Sequence, residues 1–267
     1  MKKVSVIIPT YNRADKIERA IKSVLNQTFE DFDVIVVDDC SSDNTEAVVK
    51  TITDDRVIYH KLDKNQGAAG ARNSGVSISE SEYIAFHDSD DEWLPDKLSK
   101  QVEYMQMNPQ VGLVYGKMHI IQQTQEGDFP SDAIQGKVEG YIYNDLLKRN
   151  TIGAPTMFIR RENFSKIGGF DSSLRCLEDW EFAIRFSKDY QIGYIDEPLI
   201  VVHSEAGGVS SNTSGYYETR CKIVAQHREA MEKRGIFDEI VLDIFSRAQA
   251  TGVLTQVQAM LMNYLTR

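Results

Sequence analysis

The chain has 267 residues, of which 42% are hydrophobic, and a formal net charge of -10. This length and apolar content are typical of a globular protein with a sizeable core. The negative charge argues against nucleic-acid binding, which depends on neutralising phosphates. Because no apolar run could cross a bilayer and the N-terminus enters a strand pattern at once, we expect no transmembrane segment and no signal peptide.

The three cysteines lie far apart, without a CxxC spacing: Cys40, Cys176 and Cys221. Their odd number and wide separation argue against a disulfide framework or a zinc site. We therefore expect a protein of the reducing cytoplasm, including the inner face of its membrane.

Strands and helices alternate over the first part of the chain. Short apolar runs predict four buried strands, at Val4–Ile8, Val34–Val37, Val57–His60 and Tyr83–Phe86. Helices are predicted after each strand, at Ile17–Leu25, after Ser42 and Asp43, in the glycine- and alanine-rich segment 65–76, and at Pro95–Met107. This order predicts an α/β fold with a mostly parallel central sheet and helices on both faces.

The rest of the chain is less regular. Residues 122–136 are polar and predict a surface loop. Segments 154–161 and 193–203 are strand-like and flank a predicted helix from about Glu178 to Lys188. From Gly215 onward the pattern is almost wholly helical.

Polar residues follow three of the predicted strands, at the end where ligands bind in open parallel sheets. They are Pro9, Thr10 and Tyr11 after the first strand, Asp38 and Asp39 after the second, and Asp88, Ser89 and Asp90 after the fourth. An aromatic ring stacks on a base, carboxylates accept hydrogen bonds from a base or ribose, and an acid cluster binds a hard divalent cation. Together they predict a cleft for a nucleotide diphosphate with Mg²⁺ or Mn²⁺.

Each of these features also has a purely structural explanation. Tyr11 can be a packing residue, Asp38 and Asp39 can cap the next helix, and a D-x-D triplet occurs by chance in acidic proteins. Their arrangement at successive strand ends is what favours the nucleotide site.

Three segments resemble the N-terminal half of the inverting glycosyltransferases of family 2, which have the GT-A fold: residues 4–45, 65–76 and 83–91. The resemblance covers residues 1–118 closely and continues loosely to about residue 205. It implies metal-dependent transfer of a hexose or N-acetylhexosamine from a UDP-sugar to a glycan, glycoprotein or lipid-linked sugar. It divides the chain into a nucleotide-sugar-binding half (1–118), an acceptor-side half (119–214) and a C-terminal helical extension (215–267).

The resemblance also implies roles for the residues at the strand ends. Asp90 is the principal metal ligand, and Asp88 lies near the ribose or the metal. Thr10 and Tyr11 line the uracil pocket, and Asp39 accepts from the uracil N3–H. Arg72 contacts the nucleotide or its diphosphate. Pro9, Asp38 and Ser89 belong to the same donor-binding loops.

Inverting transfer needs a carboxylate that removes the proton of the acceptor hydroxyl. Glu178 and Asp179 begin the predicted helix of the second half, where they can also be acids favoured by the helix dipole. The resemblance includes a Glu-Asp pair at this place and implies that Asp179 is the general base and Glu178 orients the acceptor. It further implies a metal or diphosphate contact for His203, for which a structural role is the alternative.

Two other functions compete with glycosyl transfer. A sugar-nucleotide pyrophosphorylase carries a glycine-rich loop near its N-terminus, whereas the loop at residues 9–16 contains no glycine. A nucleotide-sugar-binding subunit without catalysis is disfavoured because Asp88, Asp90 and Asp179 are retained together.

The tail carries two amphipathic patterns, one from Phe237 to Ala248 and one from Val253 to Leu265, separated by Gly252. These helices can fold back on the catalytic domain. They can instead pack against a second copy of the chain and form a homo-oligomer. Membrane binding is less favoured because basic residues are sparse on their polar faces.

Overall fold

The computed structural model describes residues 2–124, 127–133, 138–204 and 213–266. Its strands are β1 (Val4–Thr10), β2 (Phe32–Asp38), β3 (Val57–Lys61), β4 (Tyr83–Phe86), β5 (Glu92–Trp93), β6 (Val111–Thr124), β7 (Gly127–Ala133), β8 (Phe158–Arg160) and β9 (Gln191–Ser204). Its helices are α1 (Ile17–Leu25), α2 (Thr45–Lys50), α3 (Gly67–Ile78), α4 (Lys97–Met107), α5 (Tyr143–Lys148), α6 (Arg161–Ile167), α7 (Glu178–Phe186), α8 (Thr213–Gln226), α9 (Arg228–Lys233), α10 (Phe237–Ala250) and α11 (Leu254–Leu265). In these ranges no helix is both long and apolar enough to cross a membrane.

The nine described strands form one sheet in the order β3-β2-β1-β4-β8-β6-β9-β5, with β7 paired to β6. The first four of this order run parallel, as predicted. Beyond β4 the sheet is mixed, because β8 runs antiparallel to both β4 and β6 while β6 and β9 are parallel. The predicted α/β architecture is therefore confirmed, with its parallel part in the N-terminal half.

The buried strands have apolar side chains on both faces of the sheet, as expected for parallel strands covered by helices. In β1, Val6 and Ile8 belong to one hydrophobic cluster and Ile7 to the other. All three residues are fully buried. The unbroken apolar run of β1 therefore follows from its central place, with β2 on one side and β4 on the other.

Helix α3 lies very close to the sheet, as its glycine and alanine content predicts. A Cβ atom on Gly75 would lie 2.5 Å from Ile7 Cγ2 and 3.0 Å from Val37 Cγ2, so only glycine fits at this approach. Ala71, one turn earlier, is also fully buried. This packing fixes the helix that carries Arg72.

The prediction of a surface loop over residues 122–136 was wrong for the part that the structure describes. There β6 continues to Thr124 and β7 pairs with it antiparallel, with Gln122 opposite Phe129. A strand of mostly polar residues lacks the apolar alternation by which strands are recognised in a sequence. Segment 154–161 also differs from the predicted strand, because a 3₁₀ helix at Ala154–Thr156 precedes the three residues of β8.

The C-terminal helices fold back on the rest of the chain. The stripes of α10 and α11 are buried within the same chain, at Ile240, Ile244, Ala248, Val257 and Leu261. These residues share one hydrophobic cluster with Phe182 and Ile184 of α7. The structure therefore agrees with the possibility that these helices fold back on the catalytic domain. The apolar stripes on which the self-association hypothesis was based are already buried within the chain.

Candidate active site

The three polar loops predicted at the strand ends meet at one edge of the sheet, because β2, β1 and β4 are adjacent. Thr10 pairs with Asp38 in the register of β1 and β2. The Thr10 side chain is buried, and its Oγ1 has no hydrogen-bond partner among the described residues. Tyr11 is 49% exposed. A hydroxyl without a protein partner and an exposed aromatic residue thus follow one another at the carboxyl end of β1.

The loop after β1 is fixed to the loop after β2. Asn12, at a left-handed φ of 52°, donates its backbone N–H to Ser41 Oγ at 2.9 Å and accepts from the Ser42 amide at 2.9 Å. The amide of Arg13 donates to Thr45 Oγ1 at 3.0 Å. These bonds hold the position of Tyr11 without contacting its ring.

The two aspartates after β2 have different surroundings. Asp38 is fully buried, and its carboxylate accepts from the Ser41 amide at 2.7 Å and from the Tyr59 hydroxyl at 2.5 Å. Both oxygens of Asp38 therefore stabilise the loop itself.

Asp39 accepts from the amides of Gln66 at 2.6 Å and Gly67 at 2.8 Å. It therefore caps α3, rather than the helix that follows it in sequence. Burial is the largest influence on Asp39 and raises its pKa, while these two amides and the charge of Arg175 lower it. Each oxygen of Asp39 keeps a second lone pair, so the carboxylate can still accept a hydrogen bond from a ligand.

The acid cluster after β4 is crowded, as its sequence predicts. Burial and the charge of Asp88 raise the pKa of Asp90. Burial and the charges of Asp88 and Asp90 raise the pKa of Asp91 to about 8. Two arginines missed by the sequence analysis lie against the cluster: Arg13 Nη2 is 3.6 Å from Asp90 Oδ2, and Arg19 Nη2 donates to the Asp90 carbonyl at 2.5 Å. Both follow β1, the strand next to β4.

His203 reaches the cluster from the end of β9. Its amide donates to Asp91 Oδ1 at 3.1 Å, and its Nε2 lies 2.8 Å from Glu92 Oε1. The ring is thus paired with Glu92 rather than with Asp88 or Asp90, the two carboxylates predicted as metal ligands.

Arg72 is buried between the two halves of the chain. Its Nη1 donates to Glu178 Oε1 at 2.5 Å and its Nη2 to Asp88 Oδ1 at 2.6 Å. Burial opposes the charge of Arg72, but the neighbouring carboxylates outweigh burial and raise its pKa. The family resemblance implies that Arg72 contacts the nucleotide, whereas here both of its terminal nitrogens bind protein carboxylates.

Asp179 is half-buried at the start of α7. Its Oδ2 accepts from the Ala154 amide at 3.1 Å and its Oδ1 from the Trp180 amide at 2.7 Å. Burial and the charge of Glu178 raise the pKa of Asp179 to about 7, against the lowering effect of these amides and Arg72. The side chain is therefore fixed and partly open to solvent, and its pKa is raised towards neutral pH.

Comparison with known proteins assigns the family. Residues 5–168 match the model of glycosyl transferase family 2, which is more than half of the chain. The chain is a family 2 glycosyltransferase. Two relatives of this transferase in Escherichia coli, WfaP and WfgD, are each named UDP-Glc:alpha-D-GlcNAc-diphosphoundecaprenol beta-1,3-glucosyltransferase. They are 35% and 34% identical to it, over 62% and 72% of this chain and 64% and 73% of theirs.

Among solved structures, TarS of S. aureus in complex with UDP-GlcNAc is similar to the transferase at a TM-score of 0.78. The two share 23% sequence identity, and the match covers 98% of this chain and 79% of that one. This likeness confirms the predicted GT-A fold with its C-terminal helices. The family match favours glycosyl transfer over the pyrophosphorylase alternative.

The acid cluster of the transferase fits a divalent cation in its chemistry. Asp88 and Asp90 offer the hard oxygen ligands that Mg²⁺ and Mn²⁺ prefer. Burial first and the charge of Asp88 second raise the pKa of Asp90, and a bound cation would oppose both effects. Within the described ranges no three His, Cys, Asp or Glu side chains are arranged as a complete metal site. To hold a cation, Asp88 and Asp90 would need further ligands from outside the described side chains.

Proposed function

We propose that the protein transfers a hexose or N-acetylhexosamine from a UDP-sugar to a hydroxyl of a lipid-linked sugar, with inversion and with Asp179 as general base. The names of WfaP and WfgD, which give a UDP-glucose donor and a lipid-diphosphate-linked acceptor, support this donor and acceptor class. The structure of TarS with UDP-GlcNAc supports an N-acetylhexosamine donor as well.

The surroundings of Asp179 carry the proposal. A general base works best when its pKa lies near the operating pH, and burial beside Glu178 raises the pKa of Asp179 to about 7. The amides of Ala154 and Trp180 fix its carboxylate, which leaves lone pairs for an acceptor hydroxyl. In the transfer, the hydroxyl proton passes to Asp179 and the acceptor oxygen bonds to the anomeric carbon. The bond from that carbon to the diphosphate breaks, and its electron pair leaves with UDP.

The donor site is assigned to the loops after β1 and β2. Tyr11 offers an open ring on which a base can stack, and Thr10 offers a buried hydroxyl without a protein partner. Asp39 retains the capacity to accept from the uracil N3–H. Pro9 and Asp38 act through the backbone of these loops, because the Asp38 carboxylate already accepts from Ser41 and Tyr59.

Asp90 and Asp88, with Ser89 between them, would hold the divalent cation. When bound, the cation supplies the positive charge that stabilises the departing diphosphate. Arg13 lies beside the carboxylate of Asp90, and Arg19 donates to its backbone carbonyl. Both contacts hold the loop after β4 in place. His203 is left out of this metal site because its ring is paired with Glu92.

Arg72 and Glu178 act as positioning residues in this proposal. The bonds from Arg72 to Asp88 and Glu178 tie the cation loop to the first turn of α7, which carries Asp179. Arg72 also lowers the pKa of Asp179, so it keeps part of the base deprotonated at neutral pH.

The test is a transfer assay with a lipid-diphosphate-linked GlcNAc acceptor and either UDP-Glc or UDP-GlcNAc, with Mn²⁺ or with EDTA. We expect acceptor-dependent release of UDP, dependence on Mn²⁺, and a β-linked product by NMR. UDP-sugar binding without transfer in a survey of lipid-linked acceptors would favour the inactive-subunit alternative. Pyrophosphate release from a nucleoside triphosphate and a sugar phosphate would favour the pyrophosphorylase alternative.

A further inference from the structure

Arg175 reaches from the acceptor-side half to the start of α3. Its Nη1 lies 3.5 Å from the position that a Cβ atom on Gly67 would take. Gly67, at a φ of 77°, is the first residue of α3, and its amide donates to Asp39. The positive charge of Arg175 therefore lies near the carboxylate of Asp39, which we propose accepts from the uracil N3–H.

The side chain of Arg175 is exposed, and its guanidinium forms no hydrogen bond or ion pair with the part of the chain that the structure describes. Its interaction with Asp39 is electrostatic and lowers the pKa of that carboxyl group. A guanidinium has five N–H donors in a planar fork. These donors remain available to a ligand that enters beside Asp39.

The segment that carries Arg175 is held from both sides. Lys222 of α8 donates to Asp171 Oδ2 at 2.8 Å and to Ser173 Oγ at 2.6 Å. On the other side, Asn73 of α3 donates to the Phe170 carbonyl at 2.8 Å and accepts from the Phe170 amide at 3.0 Å. Arg175 is therefore placed over α3 by contacts with α3 itself and with the C-terminal extension.

We propose that Arg175 is a further donor-binding residue that contacts the uracil base and helps to select it. This inference rests on the proposed function. Asp39 accepts hydrogen bonds and Arg175 donates them, so the pair complements the N3–H of uracil and its O4 carbonyl oxygen. Cytosine presents an acceptor at N3 and an amino group beside it, so the same pair opposes cytosine.

The experiment measures binding of UDP, UMP and CDP by isothermal titration calorimetry. It compares the wild-type chain with Arg175→Met and with the control Arg228→Met, which removes an exposed arginine of α9. Loss of a hydrogen bond to a charged donor should weaken UDP and UMP binding by a similar factor of roughly 10 to 100. CDP binding should change little, so the preference for UDP over CDP should narrow. Arg228→Met should bind like the wild type.

Arg175→Lys is the second variant, because it keeps the charge and removes the planar fork. We expect it to recover part of the UDP affinity while the preference over CDP stays narrowed. Unchanged UDP affinity in Arg175→Met would overturn the inference, and so would a loss confined to UDP, which would place the contact on the terminal phosphate. A wild-type chain that binds none of the nucleotides would instead contradict the proposed function.

Discussion

The guanidinium of Arg72 donates to the carboxylate of Glu178 across 2.5 Å, although the two residues are 106 positions apart. Arg72 is 5% exposed and Glu178 is 9% exposed, so water does little to screen this pair. The second Nη atom of Arg72 is bonded to Asp88. One buried cation therefore joins the predicted metal loop to the helix that begins with the predicted base.

Arg72→Met should destabilise the fold by about 3–5 kcal/mol, because it leaves the buried Glu178 carboxylate without its partner. The measurement is the free energy of unfolding from urea titrations. Arg228→Met removes an exposed arginine and should change it by less than about 0.5 kcal/mol. The double variant Arg72→Met with Glu178→Gln should recover part of the loss. A loss for Arg72→Met no larger than the control's would contradict the bridging role.

The activity of the transferase should rise with pH, with the acid limb of kcat/KM near pH 7. This follows from Asp179, whose pKa is raised to about 7 and which must be deprotonated to act as a base. Arg72 lowers the pKa of Asp179, so Arg72→Gln, which removes the charge, should move the acid limb to higher pH. Arg72→Lys keeps the charge and should move the limb less. An acid limb at the same pH in both variants would show that the charge of Arg72 does not influence the pKa of Asp179.

The same carboxyl group should make stability fall as the pH rises. Its pKa in the folded state exceeds the ordinary value of 3.8, so the folded state binds more protons than the unfolded state between those values. The stability from Asp179 is full below about pH 4 and is lost as the pH rises to about 7. Asp179→Asn should remove this slope, which urea titrations of both proteins at several pH values would detect.

Asp90→Ala should abolish metal-dependent donor binding and leave the fold intact. Thermal shift with UDP and Mn²⁺ is the measurement, and the stabilisation by Mn²⁺ should disappear. In EDTA the variant should melt no lower than the wild type, because Asp88 and Asp91 lose a repelling neighbour. Asp55→Ala removes an exposed carboxylate elsewhere and should keep the full Mn²⁺ response. If Mn²⁺ stabilised Asp90→Ala as strongly as the wild type, the assignment of Asp90 as a metal ligand would be wrong.

The C-terminal extension should behave as part of the catalytic domain. Ile244 is fully buried and Leu242, on the same helix, is 66% exposed. Ile244→Ala should therefore cost about 2–5 kcal/mol of unfolding free energy. Leu242→Ala should cost less than about 0.5 kcal/mol. If Ile244→Ala instead reduced the mass measured by light scattering and left the stability unchanged, the extension would be an interface between copies.

The sequence predicted the N-terminal half well because the signals there are local. Each buried strand is a short apolar run, and its polar residues stand directly after it. The adjacency of β2, β1 and β4 then follows from the rules for α/β sheets, so the sequence alone predicts that Tyr11, Asp39 and Asp90 line one cleft.

The partners of the charged residues could not be predicted in this way. Nothing in the sequence around Arg72 indicates Glu178 as its partner, because Glu178 lies 106 positions later, at the start of α7. The carboxylates of Asp38 and Asp39 look alike in sequence, yet one is used by Tyr59 and the other caps α3. The apolar stripes of α10 and α11 require a partner surface, and sequence alone does not say whether that surface belongs to the same chain.

The most direct test of the central claim is the rate and donor affinity of Asp179→Asn. The amide keeps the shape of the side chain but cannot take the proton of the acceptor hydroxyl. We expect UDP-sugar binding by calorimetry to be unchanged, and kcat to fall by roughly 10² to 10⁴. Asp189→Asn, which changes an exposed carboxylate just after α7, should retain the wild-type rate. Transfer at the wild-type rate by Asp179→Asn, or loss of donor binding together with the rate, would contradict the assignment of Asp179 as the base.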